Sequence, residues 1–183
     1  AHVQPAKVDP NSAQRPNLLH RLNQRLVTGN LHTGRPIVMY CCPMLGVLSL
    51  SAICASGRVL IPVSADYLAV QGVHSVERTL RALEHVLKKR VQRRYVITRL
   101  DTRRKMSHQI VDELKARLGD ELCKTRISEN VALAESPASH RDVFAHAPGS
   151  RGASDYDTLL DELVAEGFIE PREDTPPPDP LAG

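Results

Sequence analysis

Basic side chains are concentrated in one segment of this chain, residues 88–105, where they could contact the phosphate groups of a nucleic acid. The segment holds nine lysines and arginines and one acid, Asp101, although the formal net charge of all 183 residues is only +3. Cations clustered in this way bind phosphates without reading the bases. The nine are Lys88, Lys89, Arg90, Arg93, Arg94, Arg99, Arg103, Arg104 and Lys105.

Two interpretations of this segment are open on composition alone: contact with duplex DNA, or a solvated helix end followed by a loop. Aromatic residues make up only 3% of the chain, and few of them interleave with the basic positions. Stacking on single-stranded bases is therefore not expected. The opposite charge dominates the C-terminus, where residues 155–183 hold nine acids and a single base, Arg172.

The cysteines and histidines lack the spacing of a metal or redox site. Cys41 and Cys42 are adjacent, Cys54 and Cys123 stand alone, and the chain has no C-x-x-C pair. None of the eight histidines has an H-x-x-x-H partner. We therefore predict no metal site. Four cysteines in a chain of this length do not form a disulfide framework, which indicates the cytoplasm.

Two aspartates, Asp66 and Asp101, each follow a short apolar run that is typical of a buried strand. The runs are residues 58–63 and 95–100, and a similar run occupies residues 37–40. Parallel strands bring their carboxyl ends to one edge of a sheet, where α/β proteins bind ligands. Asp101 can equally cap the helix that follows it.

Apolar residues at helical spacing predict the helices that connect these strands. They recur every three or four positions over residues 73–87 and 106–118, after which Gly119 supplies a stop. Shorter patterns predict a first helix over residues 17–27 and a last one around residues 159–164. Alternating strands and helices of this length predict an α/β fold, with a mostly parallel sheet and helices on both faces.

Five blocks of sequence between residues 37 and 167 form an ordered series. Residues 61–73 read IPVSADYLAVQGV and residues 98–119 read TRLDTRRKMSHQIVDELKARLG; the other blocks are CCPMLGVLSLSAI, TRISENVALAESP and SRGASDY. In this order and spacing they resemble motifs of the ParA/MinD family of partition ATPases, and ParA more than MinD. The resemblance implies an α/β fold of the P-loop NTPase type, incomplete at its N-terminal end.

The sequence departs from that family at the residues that handle ATP. Family members begin with a strand and a phosphate-binding loop of the form K-G-G-x-G-K-T, and no such run occurs in these 183 residues. Cys41 stands where the family has an aspartate that organises magnesium, and a thiol is a poor ligand for Mg²⁺. We therefore expect no ATP hydrolysis and no cofactor, with Mg·ATP expected only if a phosphate loop lies upstream.

The resemblance also assigns candidate nucleic-acid contacts. Arg103 falls on the arginine of the family's D-x-R pattern, a position associated with sequence-independent DNA contact. Arg104 and Lys105 extend the charge beside it, and Arg93 and Arg94 precede the same strand.

Two further residues are implied as contacts of a nucleotide cofactor, in vestigial form. Asn130 matches the asparagine of the family's turn near the adenine base. Asp66 lies in a segment that lines or supports the nucleotide site. The same turn departs from the family pattern at Ser128 and Glu129, where the family has proline and arginine.

The sequence divides into three parts: a flexible arm over residues 1–16, a ParA-like α/β domain over residues 17–170, and a disordered, proline-rich acidic tail over residues 171–183. No apolar run approaches the ~18 residues needed to cross a bilayer, so no membrane contact is expected. The predicted location is the cytoplasm, with nucleoid association if the chain binds DNA.

Three functions stay open on the sequence. The first is a ParA-like chromosome or plasmid partition or positioning protein, degenerate or truncated, that binds DNA without hydrolysing ATP. The second is the C-terminal part of an active ParA-type ATPase, and the third is an interaction module that regulates a genuine ParA-like ATPase. The implied partners are duplex DNA and a ParB-like or ParA-like protein. Because the family's phosphate-loop strand lies inside the sheet, strands left unpaired by its absence also predict self-association.

Overall fold

Three parallel strands form the centre of the molecule, as seen in a computed structural model that describes residues 37–41 and 46–170 together with Leu22 and Gln24. The strands are β1 (Arg58–Ser64), β2 (Gln92–Leu100) and β3 (Leu122–Ser128), and they pair in the order β1–β2–β3. Within β1 and β2 the register joins Arg58 to Gln92 and Ser64 to Thr98.

Six α-helices have both of their ends within the described part of the chain. They are α1 (Val47–Ser56), α2 (Tyr67–Leu87), α3 (Lys105–Leu118), α4 (Val131–Glu135), α5 (Val143–His146) and α6 (Arg151–Ala165), with 3₁₀ turns at Gly119–Glu121 and Ser136–Ser139. Helix α2 crosses from β1 to β2 and α3 from β2 to β3, so each pair of neighbouring strands forms a βαβ unit.

Apolar side chains are buried on both faces of the sheet. On one face, Tyr95 and Ile97 of β2 pack against α2 and α3, including Leu114 of α3, and none of the three is exposed to solvent. On the other face, Val96 packs with residues of β3 and α6, such as Leu163. Alternate residues of β2 thus face opposite helical layers, and the predicted α/β fold with helices on both faces is confirmed.

Most of the predicted elements in the described residues are confirmed. The strand predictions over residues 58–63 and 95–100 correspond to β1 and β2, and the two long amphipathic patterns to α2 and α3. The last pattern belongs to α6. Gly119 ends α3 with a φ of 53°, in the left-handed region that favours glycine.

The predicted strand at residues 37–40 is wrong. These residues have no regular secondary structure, and Val38 and Tyr40 are 88% and 96% exposed. A short apolar run becomes a strand only by pairing, and in the described part of the chain no strand lies beside it. The predicted helix at residues 17–27 lies outside the described residues except for Leu22 and Gln24, which are helical. The arm and the tail also lie outside them.

The two edges of the sheet differ in whether the outward-facing backbone groups have hydrogen-bond partners. At β3, the carboxylate of Glu162 on α6 accepts hydrogen bonds from the backbone N–H groups of Lys124 (2.6 Å) and Thr125 (2.8 Å), and Asp155 accepts one from Ser128 (2.8 Å). These bonds satisfy edge groups that would otherwise be free to pair with another chain. Among the described residues, no strand or carboxylate covers the outer edge of β1 in this way.

Replacement of Glu162 by glutamine is expected to lower the free energy of unfolding by about 1–2 kcal/mol at neutral pH, because an amide accepts only one of the two N–H bonds. Burial alone would raise the pKa of Glu162, but hydrogen bonds from Thr125 and Lys124 together hold it below its usual range. The stabilisation is therefore present above the unfolded-state pKa of about 4.3 and is lost as pH falls through the lower folded-state pKa.

Urea unfolding of Glu162→Gln and wild type between pH 7 and pH 3 measures this difference. The exposed neighbour Asp161 provides the control, and Asp161→Asn is expected to leave the free energy of unfolding unchanged within about 0.5 kcal/mol. A deficit of the Glu162 variant that persists undiminished at pH 3 would contradict the role of the charged carboxylate.

Candidate nucleic-acid interface at the carboxyl ends of the strands

The loop after β2 is organised around the carboxylate of Asp101. Its Oδ1 accepts hydrogen bonds from the backbone N–H of Arg103 (3.0 Å) and from the Nε of Arg103 (3.1 Å). Its Oδ2 accepts one from the Nε of Arg104 (3.1 Å). The side chain of Asp101 is 13% exposed, whereas those of Arg103 and Arg104 are 91% and 72% exposed. One shielded carboxylate therefore holds two solvent-facing guanidinium groups.

Asp101 is charged over the physiological pH range. The backbone N–H of Arg103 and then the Arg103 side chain hold the pKa of this carboxyl below its usual range. The alternative prediction, that Asp101 caps the next helix, is wrong. The N-cap of α3 is Arg104, and no side chain caps it. Asp101 closes the turn before that position instead, and Lys105 is the first residue of the helix.

A cleft of about 560 Å³ opens beside this loop, between the carboxyl ends of β2 and β3. Its walls come from the loop after β2, the turn after β3 and the start of α6. The lining residues are Leu100, Asp101, Thr102, Arg103, Arg104, Ser128, Glu129, Asn130, Val131 and Arg151. A cleft at this edge of a parallel sheet is where α/β proteins place ligands.

Asn130 and Asp66, the two candidate nucleotide contacts, are both helix N-caps. The side-chain oxygen of Asn130 accepts a hydrogen bond from Ala132 N–H (2.9 Å) at the start of α4, within the cleft wall. Asp66 accepts one from Ala69 N–H (2.8 Å) at the start of α2. Both caps are local structural roles. Asp66 follows β1 and is not among the residues that line the cleft.

Arg93 and Arg94 lie at the opposite end of β2 from Arg103. The strand residues from Arg94 to Leu100 span about 20 Å at 3.3 Å per residue. The side chain of Arg93 is only 7% exposed and pairs with Glu84 and Glu121, and Arg94 pairs with Glu166 (2.7 Å). The structure therefore separates Arg93 and Arg94 from the other predicted DNA contacts, because acidic side chains of neighbouring elements form ion pairs with these two arginines.

This surface also includes three residues that the sequence does not predict as part of it: Arg151, Glu129 and Asp155. Arg151 is 67% exposed in the cleft wall, and Asp155 lies one turn along α6, where it holds Ser128. The available signal was the block SRGASDY, whose glycine lets α6 approach α4 closely. A Cβ on Gly152 would lie 2.6 Å from Cγ of Leu133, so the Leu133 side chain would have to move.

The described residues contain no group of three or more histidine, cysteine or acidic side chains that could hold a metal ion. In the same part of the chain, none of the helices is long and apolar enough to cross a membrane.

The thiol of Cys123 is buried, which raises its pKa to about 11. Burial also raises the pKa of Cys54.

The residues that line this cleft do not fit a Mg·ATP site of the kind that the resemblance implies. The cleft presents arginines and carboxylates but no glycine-rich loop and no lysine. Cys41, at the position of the family aspartate, is half-buried, and its thiol lies 3.9 Å from the carbonyl oxygen of Met39. A thiol offers Mg²⁺ none of the hard oxygen ligands that it requires.

Comparison with known proteins agrees with the fold and the motifs. A family model described as an AAA domain matches residues 35–93. The sporulation initiation inhibitor protein Soj of Bacillus subtilis is 34% identical over 132 residues, which are 72% of this chain and 52% of that protein. The chromosome-partitioning ATPase Soj of Thermus thermophilus is 35% identical over 124 residues, which are 67% of this chain and 50% of that protein. The chromosome partitioning protein ParA of Myxococcus xanthus is 28% identical over 141 residues, which are 76% of this chain and 47% of that protein.

The parallel sheet with helices on both faces and the matching domain model define a fold of the P-loop NTPase type. Within that class the chain belongs to the ParA/MinD family of partition ATPases. It spans about half the length of the curated relatives that it matches.

Proposed function

We propose that the chain is a ParA-like partition or positioning component that contacts duplex DNA without sequence preference through Arg103, Arg104 and Lys105. The observation that carries the proposal is the exposed cation cluster at the carboxyl end of β2, which Asp101 organises. The relatives named as chromosome-partitioning proteins support the partition role. Such a component would work in the cytoplasm, on the nucleoid.

The cluster suits a phosphate backbone better than the edges of bases. Its three cations are consecutive in the chain, at the junction of a loop and a helix, so they form a compact patch. Guanidinium groups match phosphate oxygens, and each contact releases counterions whatever the base sequence.

Affinity for two unrelated duplexes of equal length and composition tests this proposal. Fluorescence anisotropy with the full chain at about 50 mM salt is expected to give dissociation constants that agree within about twofold. A preference of tenfold or more for one duplex would indicate base reading and overturn the proposal, as would the absence of binding to both.

The second candidate is the C-terminal part of an active ATPase, which the length of the relatives favours because the chain spans half of them. For the chain as it is, we predict no stabilisation by Mg·ATP. A ligand present at one hundred times its dissociation constant stabilises a native protein by about 2.7 kcal/mol. Thermal unfolding with millimolar Mg·ATP is therefore expected to coincide with unfolding without it, and a magnesium-dependent rise in Tm would favour this second candidate.

We also propose that the chain self-associates and that it binds a ParB-like or ParA-like protein. Binding to a ParA-like protein is also what the third function, an interaction module that regulates a ParA-like ATPase, requires. The outer edge of β1 supports self-association. Ala65 donates its N–H to Thr98 and Gly57 accepts at its carbonyl from Gln92, so the backbone groups of the odd-numbered residues of β1 point toward β2. The backbone groups of the even-numbered residues, such as Leu60, therefore point outward. Leu60 is 37% exposed there.

Replacement of Leu60 by lysine is expected to shift the chain toward the monomer, because a charge on a strand edge opposes pairing with another edge. Light scattering coupled to size-exclusion chromatography measures the molar mass of both proteins. Lys89→Glu, at an exposed position beyond α2, is the control and is expected to leave the mass unchanged. A wild-type chain of about 20 kDa at all concentrations would contradict self-association.

A further inference from the structure

We propose that Asp101 is a positioning residue for phosphate binding, which holds Arg103 and Arg104 as one preformed fork. The inference rests on the proposed DNA contact and deepens it. An acidic residue inside a cation patch would ordinarily be read as weakening attraction to DNA. Here the hydrogen bonds to Asp101 make it the element that aims the cations.

The bonds to Asp101 use one end of each guanidinium group and leave the other free. The Nε atoms of Arg103 and Arg104 each lie 3.1 Å from a different oxygen of the carboxylate. In an arginine side chain the other four N–H donors are on the two terminal nitrogens, and the bonds to Asp101 given above are made by Nε. Both terminal groups lie in solvent, where a phosphate can accept from them.

The backbone fixes the position of the carboxylate as well. Asp101 accepts from the N–H of Arg103 (3.0 Å), and its own carbonyl accepts from the N–H of Arg104 (3.2 Å). Asp101 thus belongs both to the turn and to the fork. It directly follows Leu100, the last residue of β2, and Leu100 is buried. The cations are anchored to the core through a single shielded side chain.

Preorganisation and charge predict opposite signs for removal of this carboxylate. A flexible side chain that must be ordered on binding weakens affinity by about two- to tenfold, and Asp101 orders two of them. If charge alone mattered, removal of a negative group about 10 Å from a phosphate would instead tighten binding by about twofold. The substitution Asp101→Asn keeps the shape of the side chain and separates the two accounts.

Glu129 provides a matched control in the same cleft. Its carboxylate lies 4.0 Å from Arg99 and is 50% exposed, and it makes no ion pair with Arg103 or Arg104. Glu129→Gln therefore changes the net charge by the same amount as Asp101→Asn and leaves the fork intact.

The experiment measures binding of a random-sequence duplex to the full-length wild type, Asp101→Asn and Glu129→Gln at several salt concentrations. We expect Asp101→Asn to bind about five- to tenfold more weakly, and Glu129→Gln to bind up to about twofold more tightly. Tighter binding by both variants overturns the positioning role and leaves the DNA proposal standing. If the wild type does not bind the duplex, the DNA proposal fails, and the DNA role of Asp101 with it.

A second measurement examines the fork without DNA. Hydrogen exchange of the arginine Nε–H groups, followed by NMR, is expected to be slower for Arg103 and Arg104 than for Arg78, which is exposed on α2. In Asp101→Asn this protection is expected to disappear while the rest of the amide spectrum is retained. Equal exchange at all three arginines in the wild type would overturn the inference whatever the DNA result.

Discussion

Replacement of Arg117 by alanine is expected to lower the free energy of unfolding by about 3 kcal/mol, because it leaves the carboxylate of Glu77 shielded from water without its main partner. Glu77 is only 9% exposed on the inner face of α2. It accepts from the guanidinium group of Arg117 on α3, whose Nε lies 3.2 Å away, while Nη1 of Arg117 lies 2.7 Å from His74. The pair joins the two helices that cover one face of the sheet.

Urea unfolding of Arg117→Ala beside two other variants isolates the cause. Lys115→Ala removes an exposed cation from the same helix and is expected to change the free energy of unfolding by less than about 0.5 kcal/mol. Arg117→Met combined with Glu77→Leu removes both charges and is expected to recover most of the loss, since an apolar pair of similar volume has no desolvation cost. A loss below about 1 kcal/mol for Arg117→Ala would show that Glu77 is hydrated in the folded protein.

Simultaneous replacement of Arg103, Arg104 and Lys105 by alanine is expected to weaken duplex binding by about ten- to a hundredfold near 100 mM salt. Three phosphate contacts contribute a factor that grows as salt is lowered, and the loss should be similar on every duplex. The change leaves the buried face of α3 intact, because residues such as Ile110 and Leu114 make its core contacts. Circular dichroism and anisotropy on the same samples separate folding from binding.

A control with the same loss of charge is available at the opposite end of the sheet. Lys88, Lys89 and Arg90 are exposed between α2 and β2. Lys88 has a φ of 53°, so asparagine, which tolerates the left-handed region, replaces it, and alanine replaces the other two. This variant is expected to bind DNA within about threefold of wild type. Equal losses in both triple variants would mean that net charge and not the cluster attracts the DNA.

The sequence predicts the long elements well because their patterns are strong. Helix α2 has an apolar stripe on its buried face, and β2 contains the apolar run YVI, whose residues are buried on both faces of the sheet, so these patterns place both elements. β3 was not predicted, since LCKTRIS mixes charged with apolar residues. Its edge position explains this pattern, because only Cys123, Ile127 and Ser128 of the strand are buried.

The residues 37–40 show why a local apolar run is weak information. IVMY has the composition of a buried strand, but the described residues place no partner beside it. Strand formation depends on pairing between distant segments, which the run itself does not encode.

The candidate site was predicted in part, for a similar reason. Charge clustering and the resemblance both indicated Arg103, and the structure exposes it. Arg93 has the same charge but lies under Glu84 and Glu121, two acids that come from other elements. Ion pairing across elements depends on packing, so counting charges along the segment could not separate these two arginines.

The salt dependence of binding to a random-sequence duplex tests the central claim most directly, with wild type and the Arg103, Arg104 and Lys105 triple variant measured side by side. Each neutralised phosphate adds about −0.9 to the slope of log K against log salt concentration. We predict a slope for the triple variant that is flatter than that of wild type by roughly two to three units, and an unchanged slope for the Lys88, Lys89 and Arg90 variant. Coincident slopes for wild type and the Arg103, Arg104 and Lys105 variant would contradict the claim that this cluster contacts DNA.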